Sequence, residues 1–383
     1  MEQAVTRTDK KEKRAREKQP QGRIDYSILL VVSALCAFGL VMVFSASYYY
    51  AQNTAKCNFD SFYYLKRQAI YLAIGYPIML IISRINYRKI QKLNGIAILV
   101  SVVLLITVLI FGDELNGGKR WLNLFGVSIQ PSEVAKFGMI IYMCSYMAKR
   151  RDQMKDLKRG MMPMLLVIGV IAGLIMLQPN MSMAVIVGLI GIIMLYLGGC
   201  DLRQLLVLGV VFVILFILFA VIAPYRLQRL TSFTKPFDDP QDTGYQLVQS
   251  FYAIGSGGLF GKGLNNSYQK LLYMTYGESD FIFAILCEEF GFVGGVVVLI
   301  AYGWIVYRGM VIALRCRNRF GGLLAAGISL VFGLQVCINV GVVTGLMPTT
   351  GQALPFISAG GTSLLIFLSA MGVLLNISRE THK

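Results

Sequence analysis

The sequence predicts an all-α protein that crosses a membrane repeatedly as one bundle of ten helices. The chain has 383 residues, of which 56% are hydrophobic, whereas soluble domains are about 45–50% apolar. The length suits about ten spans of about 20 residues each. The net charge of +16 lies in short loops between apolar runs, which is the positive-inside pattern and not a nucleic-acid-binding face.

The chain is predicted to contain one membrane domain, residues 24–378, after a basic tail. Residues 1–23 alternate charges and contain almost nothing apolar, so we expect a disordered cytoplasmic segment. Positive clusters after the second, fourth and eighth apolar runs place both termini in the cytoplasm. The predicted spans are about 25–47, 64–82, 95–111, 131–147, 161–177, 181–197, 205–223, 280–307, 321–346 and 360–375.

A large extracellular loop, residues 224–279, is predicted between spans seven and eight. Loops of this length are usually functional or disordered, and the many aromatic residues here argue against disorder. Residues 245–254 are suited to a short amphipathic helix at the membrane interface.

Several kinds of chemistry are excluded by composition. The one histidine, His382, is next to last in the chain, so a serine–histidine–aspartate arrangement in the core is excluded. The seven cysteines show no CxxC or zinc spacing, and the chain has no phosphate-binding glycine loop. A donor substrate that such a bundle can reach is a lipid.

Asp280 marks the junction between a polar loop and a buried helix in the stretch 273–294. A carboxylate at such an edge is partly desolvated, which raises its pKa toward that of a general base. Alternatively, Ser279 or Asp280 caps the next helix, and helix caps are far more common than active sites. Glu288 and Glu289 follow about two turns later, and acids inside a span need partners.

A second polar group precedes and enters span four. Arg120 and Trp121 lie in the outer loop, and Gln130 leads into the helix. Glu133 and Lys136 are three residues apart inside the span, so we expect them to pair. A cation at this depth is costly and suggests a function. With Arg120 above it, the pair would suit an anionic diphosphate, whereas the alternative is anchoring at lipid headgroups.

Two irregular segments interrupt apolar runs. Gln178-Pro179-Asn180 is either a tight turn or the polar lining of a cavity. Residues 348–363 are rich in proline, glycine and hydroxyl groups. Irregular backbone at membrane depth is tolerated only where protein or water surrounds it, although Gly360-Gly361 could equally mark close helix packing.

Four segments, in this order, resemble the SEDS family (shape, elongation, division and sporulation), which includes RodA, FtsW and SpoVE. The segments are GGKRWLNLFGVSIQPSEVAKF, GYQLVQSFYAIGSGGLFGKGLNNSYQKL, SDFIFAILCEEFGFVGG and GLMPTTGQALPFISAGGTSLL. Phe44–Ser47 and Asn376–Arg379 are closer to the FtsW and SpoVE branch than to RodA. One departure is Asn180, where the family usually has aspartate.

The resemblance implies a peptidoglycan glycosyltransferase of the bacterial cytoplasmic membrane that polymerises lipid II at the outer face, for division or sporulation. It implies that Asp280 is catalytic, which favours the base over the cap. It also implies a class B penicillin-binding protein transpeptidase as partner, and help from a divalent cation, Mg²⁺ or Mn²⁺, with Asp280 as its candidate ligand. The substrate-binding residues that it implies are Arg120, Trp121, Gln130, Glu133, Lys136 and Gln178.

The alternative function is a lipid II flippase or related carrier, because discontinuous spans and midplane charges would serve it too. A carrier needs polar groups along a path through the bundle, whereas here they gather at one predicted face. A third alternative is a scaffold that recruits a transpeptidase, which would tolerate the loss of the Asp280 carboxylate.

Overall fold

A computed structural model describes most of the chain as helices joined by short connections. The predictions for the tail, for residues 223–232 and for His382 fall outside the described part. The described residues are 22–115, 118–124, 127–222, 233–241, 244–271, 273–274 and 277–381. The helices are α1 (Tyr26–Gln52), α2 (Tyr63–Ile82), α3 (Arg88–Lys92), α4 (Asn94–Phe111), α5 (Pro131–Lys149), α6 (Met162–Leu177), α7 (Met181–Leu197), α8 (Leu202–Ile222), α9 (Tyr245–Gly257), α10 (Ile282–Arg315), α11 (Arg319–Val343) and α12 (Gly361–Ser378).

The all-α, multi-pass membrane fold is confirmed. In the described part of the chain, seven helices are long and apolar enough to cross a membrane, namely α1, α2, α4, α6 with its preceding turn, α10, α11 and α12. Helix α7 and the first part of α8 are shorter apolar helices, and α5 carries Glu133 and Lys136. Each predicted span coincides with one helix, but the count of ten crossings stays a prediction. The segment predicted as an amphipathic helix forms α9.

Helix α11 lies at the centre of the bundle. Within its most apolar stretch, 72% of the residues are buried inside the protein, against 17% for α4. It packs against α5, α10 and α12, whereas α4 exposes apolar side chains such as Leu99 and Ile110. A helix that is apolar on all sides suits a protein core or lipid. Polar side chains of α11 can therefore contact two sets of predicted site residues, the set at the start of α5 and the set just before α10.

Helix ends meet at two opposite faces of the bundle. At one face, Asp25 precedes α1 and accepts a 2.6 Å bond from Arg308 near the end of α10. The backbone N–H of Asp25 also donates to the hydroxyl of Ser378 at the end of α12. At the other face, Ser45 near the end of α1 donates to Glu289 near the start of α10. Helix α1 therefore runs in the opposite direction to α10 and α12.

The connection before α5, which the sequence predicts only as an outer loop, contains three short antiparallel strands. They are β1 (Asp113–Leu115), β2 (Gly118–Leu124) and β3 (Val127–Ile129), in the order β1-β2-β3. Asn123 links them by accepting from Ser128 and donating to Asp113. Strands of three residues are too short for alternation to show in the sequence.

Helix α10 is broken at Gly291, although the sequence predicts one continuous span. Gly291 has φ of 70°, a conformation that glycine adopts without steric cost. A Cβ there would lie 2.4 Å from the backbone nitrogen of Gly261. The N–H of Phe292 donates to the carbonyl of Gly258 (2.9 Å), so the loop after α9 packs into the break. The first part of α10 is thus a short helix beside the loop that follows α9.

Candidate functional site

Asp280 lies in a turn immediately before α10. The N-cap position is Phe281, whose side chain forms no capping bond. Neither Ser279 nor Asp280 therefore occupies the N-cap position of this helix. The Asp280 carboxylate instead faces Gly351, where a Cβ would lie 3.4 Å from Oδ2. Gly351 has φ of +66°, so a residue without a side chain provides both the turn and the space.

The backbone of this turn is held by the chain around the end of α11. The carbonyls of residues 278–280 accept bonds from the N–H of Ala359 (2.9 Å), the hydroxyl of Ser358 (2.6 Å) and the amide of Asn339 (2.8 Å), in that order. Three consecutive carbonyls are thus fixed by one neighbouring region. This arrangement limits the positions that the Asp280 carboxylate can take, which is what a preorganised site requires.

The electrostatic environment makes Asp280 more basic than an ordinary aspartate. Burial is the largest cause and raises the pKa of Asp280 to about 6; a hydrogen bond from Ser279 opposes the rise, and the charge of Glu278 adds to it. Glu278 is itself buried, which raises its pKa, and it is hydrogen-bonded to Tyr64. A carboxylate with a pKa of this size is ionised at neutral pH and is able to accept a proton in a reaction.

The expected pairing of Glu133 with Lys136 is confirmed. The Lys136 ammonium lies 3.0 Å from the Glu133 carboxylate, and both side chains are buried. Lys136 also donates a 2.7 Å bond to the amide oxygen of Gln335 on α11. The ammonium is therefore enclosed and directed at the central helix.

The Gln178-Pro179-Asn180 segment is a tight turn whose backbone is hydrogen-bonded by Arg120. The guanidinium of Arg120, on β2, donates to the carbonyls of Gln178 (3.3 Å) and Pro179 (2.5 Å). Gln178 is buried and donates to the carbonyl of Leu105 (3.3 Å). Asn180 accepts a bond from the N–H of Met183 and so caps α7. An uncharged amide fulfils this capping role as well as aspartate does.

Trp121 and Gln130 border this arrangement. Trp121 lies opposite Asp113 in the β1–β2 pair, and Gln130 immediately precedes α5 without capping it. Both are half-buried. The predicted site residues thus form two groups, one around Arg120 and Gln178, and one that extends from Glu133 and Lys136 across α11 to Asp280.

Sequence reasoning missed two amides, Gln335 and Asn339, that link the second group. They are four residues apart in α11 and therefore lie on one helix face. Both are buried. Polar side chains inside an apolar run are a recognised signal of function, and this signal is present in the sequence GLQVCINVG.

Glu288 and Glu289 have lysine partners, as acids in a span require. Glu288 accepts a 2.7 Å bond from Lys262, and Glu289 accepts a 2.8 Å bond from Lys270. Glu289 also accepts from Ser45 on α1 (2.6 Å). These contacts fasten the loop after α9 to α10 and α1.

The fold and this site define a class: an α-helical, multi-pass membrane protein with a basic carboxylate at one end of the bundle. The chain belongs to the FtsW, RodA and SpoVE family of cell cycle proteins, whose model matches residues 26–383. The resemblance inferred from the sequence is therefore confirmed.

Relatives and solved structures are similar along nearly the whole chain. A protein of Trichlorobacter lovleyi named probable peptidoglycan glycosyltransferase FtsW is 41% identical over 356 residues, 92% of this chain and 93% of that protein. Stage V sporulation protein E of Bacillus subtilis is 38% identical over 360 residues, 94% of this chain and 98% of that protein. A chain of a peptidoglycan synthase complex matches with a TM-score of 0.77 and 28% identity, covering 94% of this chain and 99% of that chain. Thermus thermophilus RodA matches with a TM-score of 0.68 and 26% identity, covering 94% and 98%.

Proposed function

We propose that this chain is a peptidoglycan glycosyltransferase that polymerises lipid II at the outer face of the bacterial cytoplasmic membrane, with both termini in the cytoplasm. The observation that carries the proposal is the Asp280 carboxylate, which lies outside the N-cap position of α10, has a pKa raised to about 6 and faces Gly351 at one end of the bundle. The name of one relative, probable peptidoglycan glycosyltransferase FtsW, supports the same activity.

In the proposed reaction, Asp280 is the general base. Its carboxylate takes the proton from the 4-hydroxyl of the acceptor sugar, and the hydroxyl oxygen forms a bond to the anomeric carbon of the growing strand. The bond from that carbon to the diphosphate breaks, and the diphosphate leaves with the electron pair. Proton transfer supplies typically about 10²–10⁴-fold in rate, so stabilisation of the leaving group must supply much of the rest.

The diphosphate is proposed to bind near Arg120 and Lys136. Arg120 is the half-buried cation of the two, and a guanidinium suits phosphate because it presents a planar set of donors. Lys136 is enclosed, so its contribution is charge and the orientation of α11. Trp121 and Gln130, beside β2 and at the start of α5, are proposed to border the bound substrate.

An apolar groove supports a lipid-linked substrate. It has a volume of about 580 Å³ and is lined by residues of α2, α3, α4, α5, α11 and α12 that include Ile82, Ile90, Phe137 and Ile328. Phe137 directly follows Lys136 in α5, so the groove begins beside the buried ion pair. The groove continues to Ile82 and Ile90, near the face where Asn376 of α12 bonds the carbonyl of Ser83. A prenyl chain whose diphosphate lay beside Lys136 would therefore extend toward that opposite face.

A divalent cation, Mg²⁺ or Mn²⁺, is part of the proposal. Within the described ranges, no three His, Cys, Asp or Glu side chains cluster as a metal cage. Mg²⁺ is commonly held by one or two carboxylates together with substrate phosphates, and the Asp280 carboxylate fits that mode because Asp280 lies outside the N-cap position of α10. Such an ion would neutralise charge on the leaving diphosphate.

A class B penicillin-binding protein is the proposed partner. The support is the similarity to a chain from a peptidoglycan synthase complex, whose description joins polymerization with crosslinking. In that arrangement a transpeptidase would crosslink the strands that this chain makes.

The test is polymer formation from purified lipid II by the Asp280→Asn variant in proteoliposomes. We expect glycan strands from the wild-type protein and none from the variant. Asp60→Asn is the matched control, because Asp60 is an outer-loop acid that pairs with the exposed Lys66. Polymer from a folded Asp280→Asn protein would refute the mechanism. Transfer of lipid II across the vesicle membrane without polymer would favour the carrier alternative.

A further inference from the structure

Asn339 joins the two segments that enclose the Asp280 carboxylate. Its side-chain nitrogen donates one bond to the carbonyl of Asp280 (2.8 Å) and a second to the carbonyl of Gln352 (2.7 Å). Gln352 directly follows Gly351, the residue that the carboxylate faces. One amide group therefore fixes both sides of the gap in which the carboxylate lies, and both of its N–H groups are used.

Gln335 repeats the arrangement one helical turn deeper. Its side-chain nitrogen donates to the carbonyl of Ala353 (3.1 Å), and its oxygen accepts from Lys136 (2.7 Å). Two amides on one face of α11 thus hold consecutive carbonyls, those of Gln352 and Ala353. The lower amide is oriented in turn by the buried Glu133–Lys136 pair.

The environment of the Asn339 side-chain oxygen indicates that the hydrogen bonds donated by the side-chain nitrogen are the reason for an amide at this position. The oxygen is buried and has no hydrogen-bond partner among the described residues. A buried acceptor without a partner costs about 1–3 kcal/mol, a cost that an apolar residue of similar size would avoid. An apolar residue at position 339 would, however, lack the two hydrogen bonds that Asn339 donates.

From these contacts we propose that Asn339 and Gln335 are positioning residues, which hold the segment 351–353 and the Asp280 backbone at a fixed separation. This inference rests on the proposed glycosyltransferase function. It assigns Lys136 a role through α11, because its ammonium orients Gln335 by hydrogen bonding to the side-chain oxygen. Neither amide is proposed to exchange a proton with substrate.

The test compares kcat and KM for lipid II polymerisation in proteoliposomes. Asn339→Leu keeps the approximate volume and removes both donors, and a displacement of about 1 Å at a reacting group lowers rates by about 10²-fold. We expect kcat to fall by about that factor while KM stays within about twofold, because binding of the lipid chain and diphosphate is left in place. Gln335→Met, one step further from Asp280, should lower kcat by about tenfold.

Ser329→Ala is the control on the same helix, because the Ser329 hydroxyl bonds the Ala325 carbonyl within α11. It should retain wild-type kcat, and a melting temperature in detergent should be measured for every variant. Wild-type kcat in a folded Asn339→Leu protein would overturn the inference. If Asn339→Leu does not fold, Gln335→Met decides, and wild-type kcat there would overturn it. Failure of the wild-type protein to polymerise, or full activity of Asp280→Asn, would instead reject the proposed function.

Discussion

The start of α10 contains acids in two contrasting environments. Glu288 and Glu289 are buried, and each accepts a bond from its own lysine, Lys262 or Lys270. Asp280 lies eight residues earlier, and its surroundings contain no ion-pair partner among the described residues. Its pKa is raised to about 6, chiefly by burial.

The difference shows how a carboxylate that stabilises the fold can be distinguished from one that is suited to take part in a reaction. An acid that is paired with a fixed lysine is held in a structural ion pair. An acid that is partly desolvated and has no cation beside it keeps its basicity. By this criterion, the pairs at Glu288 and Glu289 fasten the loop after α9 to α10, which agrees with the proposal that Asp280 is the reactive group.

The largest expected effect, on the free energy of unfolding, comes from a substitution that breaks one of the structural ion pairs. Lys270→Met leaves the buried Glu289 without its cation, and loss of one partner of a buried pair costs about 3–5 kcal/mol. We expect a marked fall in the free energy of unfolding, measured by denaturant titration in detergent. Lys66→Met is the control, because the Lys66–Asp60 pair is exposed and its loss should not be measurable.

Asp280→Asn should behave in the opposite way in the same titration. Since burial disfavours the charged form of Asp280, a neutral amide removes that cost, and stability at neutral pH should not decrease. A stability loss equal to that of Lys270→Met would show that Asp280 is a structural acid like the other two, and the comparison would fail.

The next effect concerns the space in front of the carboxylate. Gly351→Val places a β-branched side chain at φ of +66°, 3.4 Å from Oδ2 of Asp280. We expect kcat for polymerisation to fall by about 10²-fold, because the carboxylate or the turn must move. Gly199→Val is the control, since Gly199 also has a positive φ (+92°) and a Cβ there meets only the Arg319 guanidinium, at 3.9 Å. Equal losses in both variants would attribute the effect to backbone strain alone.

Much of this contrast was accessible from the sequence, because the signals are local. Apolar runs located the helices, and the three-residue spacing of Glu133 and Lys136 predicted their pairing. The change from a polar loop to an apolar helix drew attention to Asp280. Glu288 and Glu289 were expected to need partners, but the sequence does not say which lysines supply them.

The remaining features depend on contacts between distant segments. Asn339 is 59 residues from Asp280, and periodicity within one helix does not predict such a bond. The break at Gly291 depends on the loop that contains Gly261, since glycine in a helical run is equally compatible with close packing. The bonds from Ser358 and Ala359 to the turn before α10 also join distant segments, so the local sequence does not predict the conformation of Asp280.

The smallest expected effect comes from Glu278. The charge of Glu278 contributes to the raised pKa of Asp280, so Glu278→Gln should lower that pKa and move the acid limb of the pH profile to lower pH. The shift should be small because burial is the main cause.

The most direct measurement of the central claim is the pH dependence of kcat/KM for lipid II polymerisation by the wild-type protein. Because the base form of Asp280 is the ionised one and its pKa is about 6, kcat/KM should be constant above that value and fall tenfold per pH unit below it. A profile that stays flat down to the ordinary aspartate range near 3.8, with the protein folded throughout, would contradict the assignment of Asp280 as the general base.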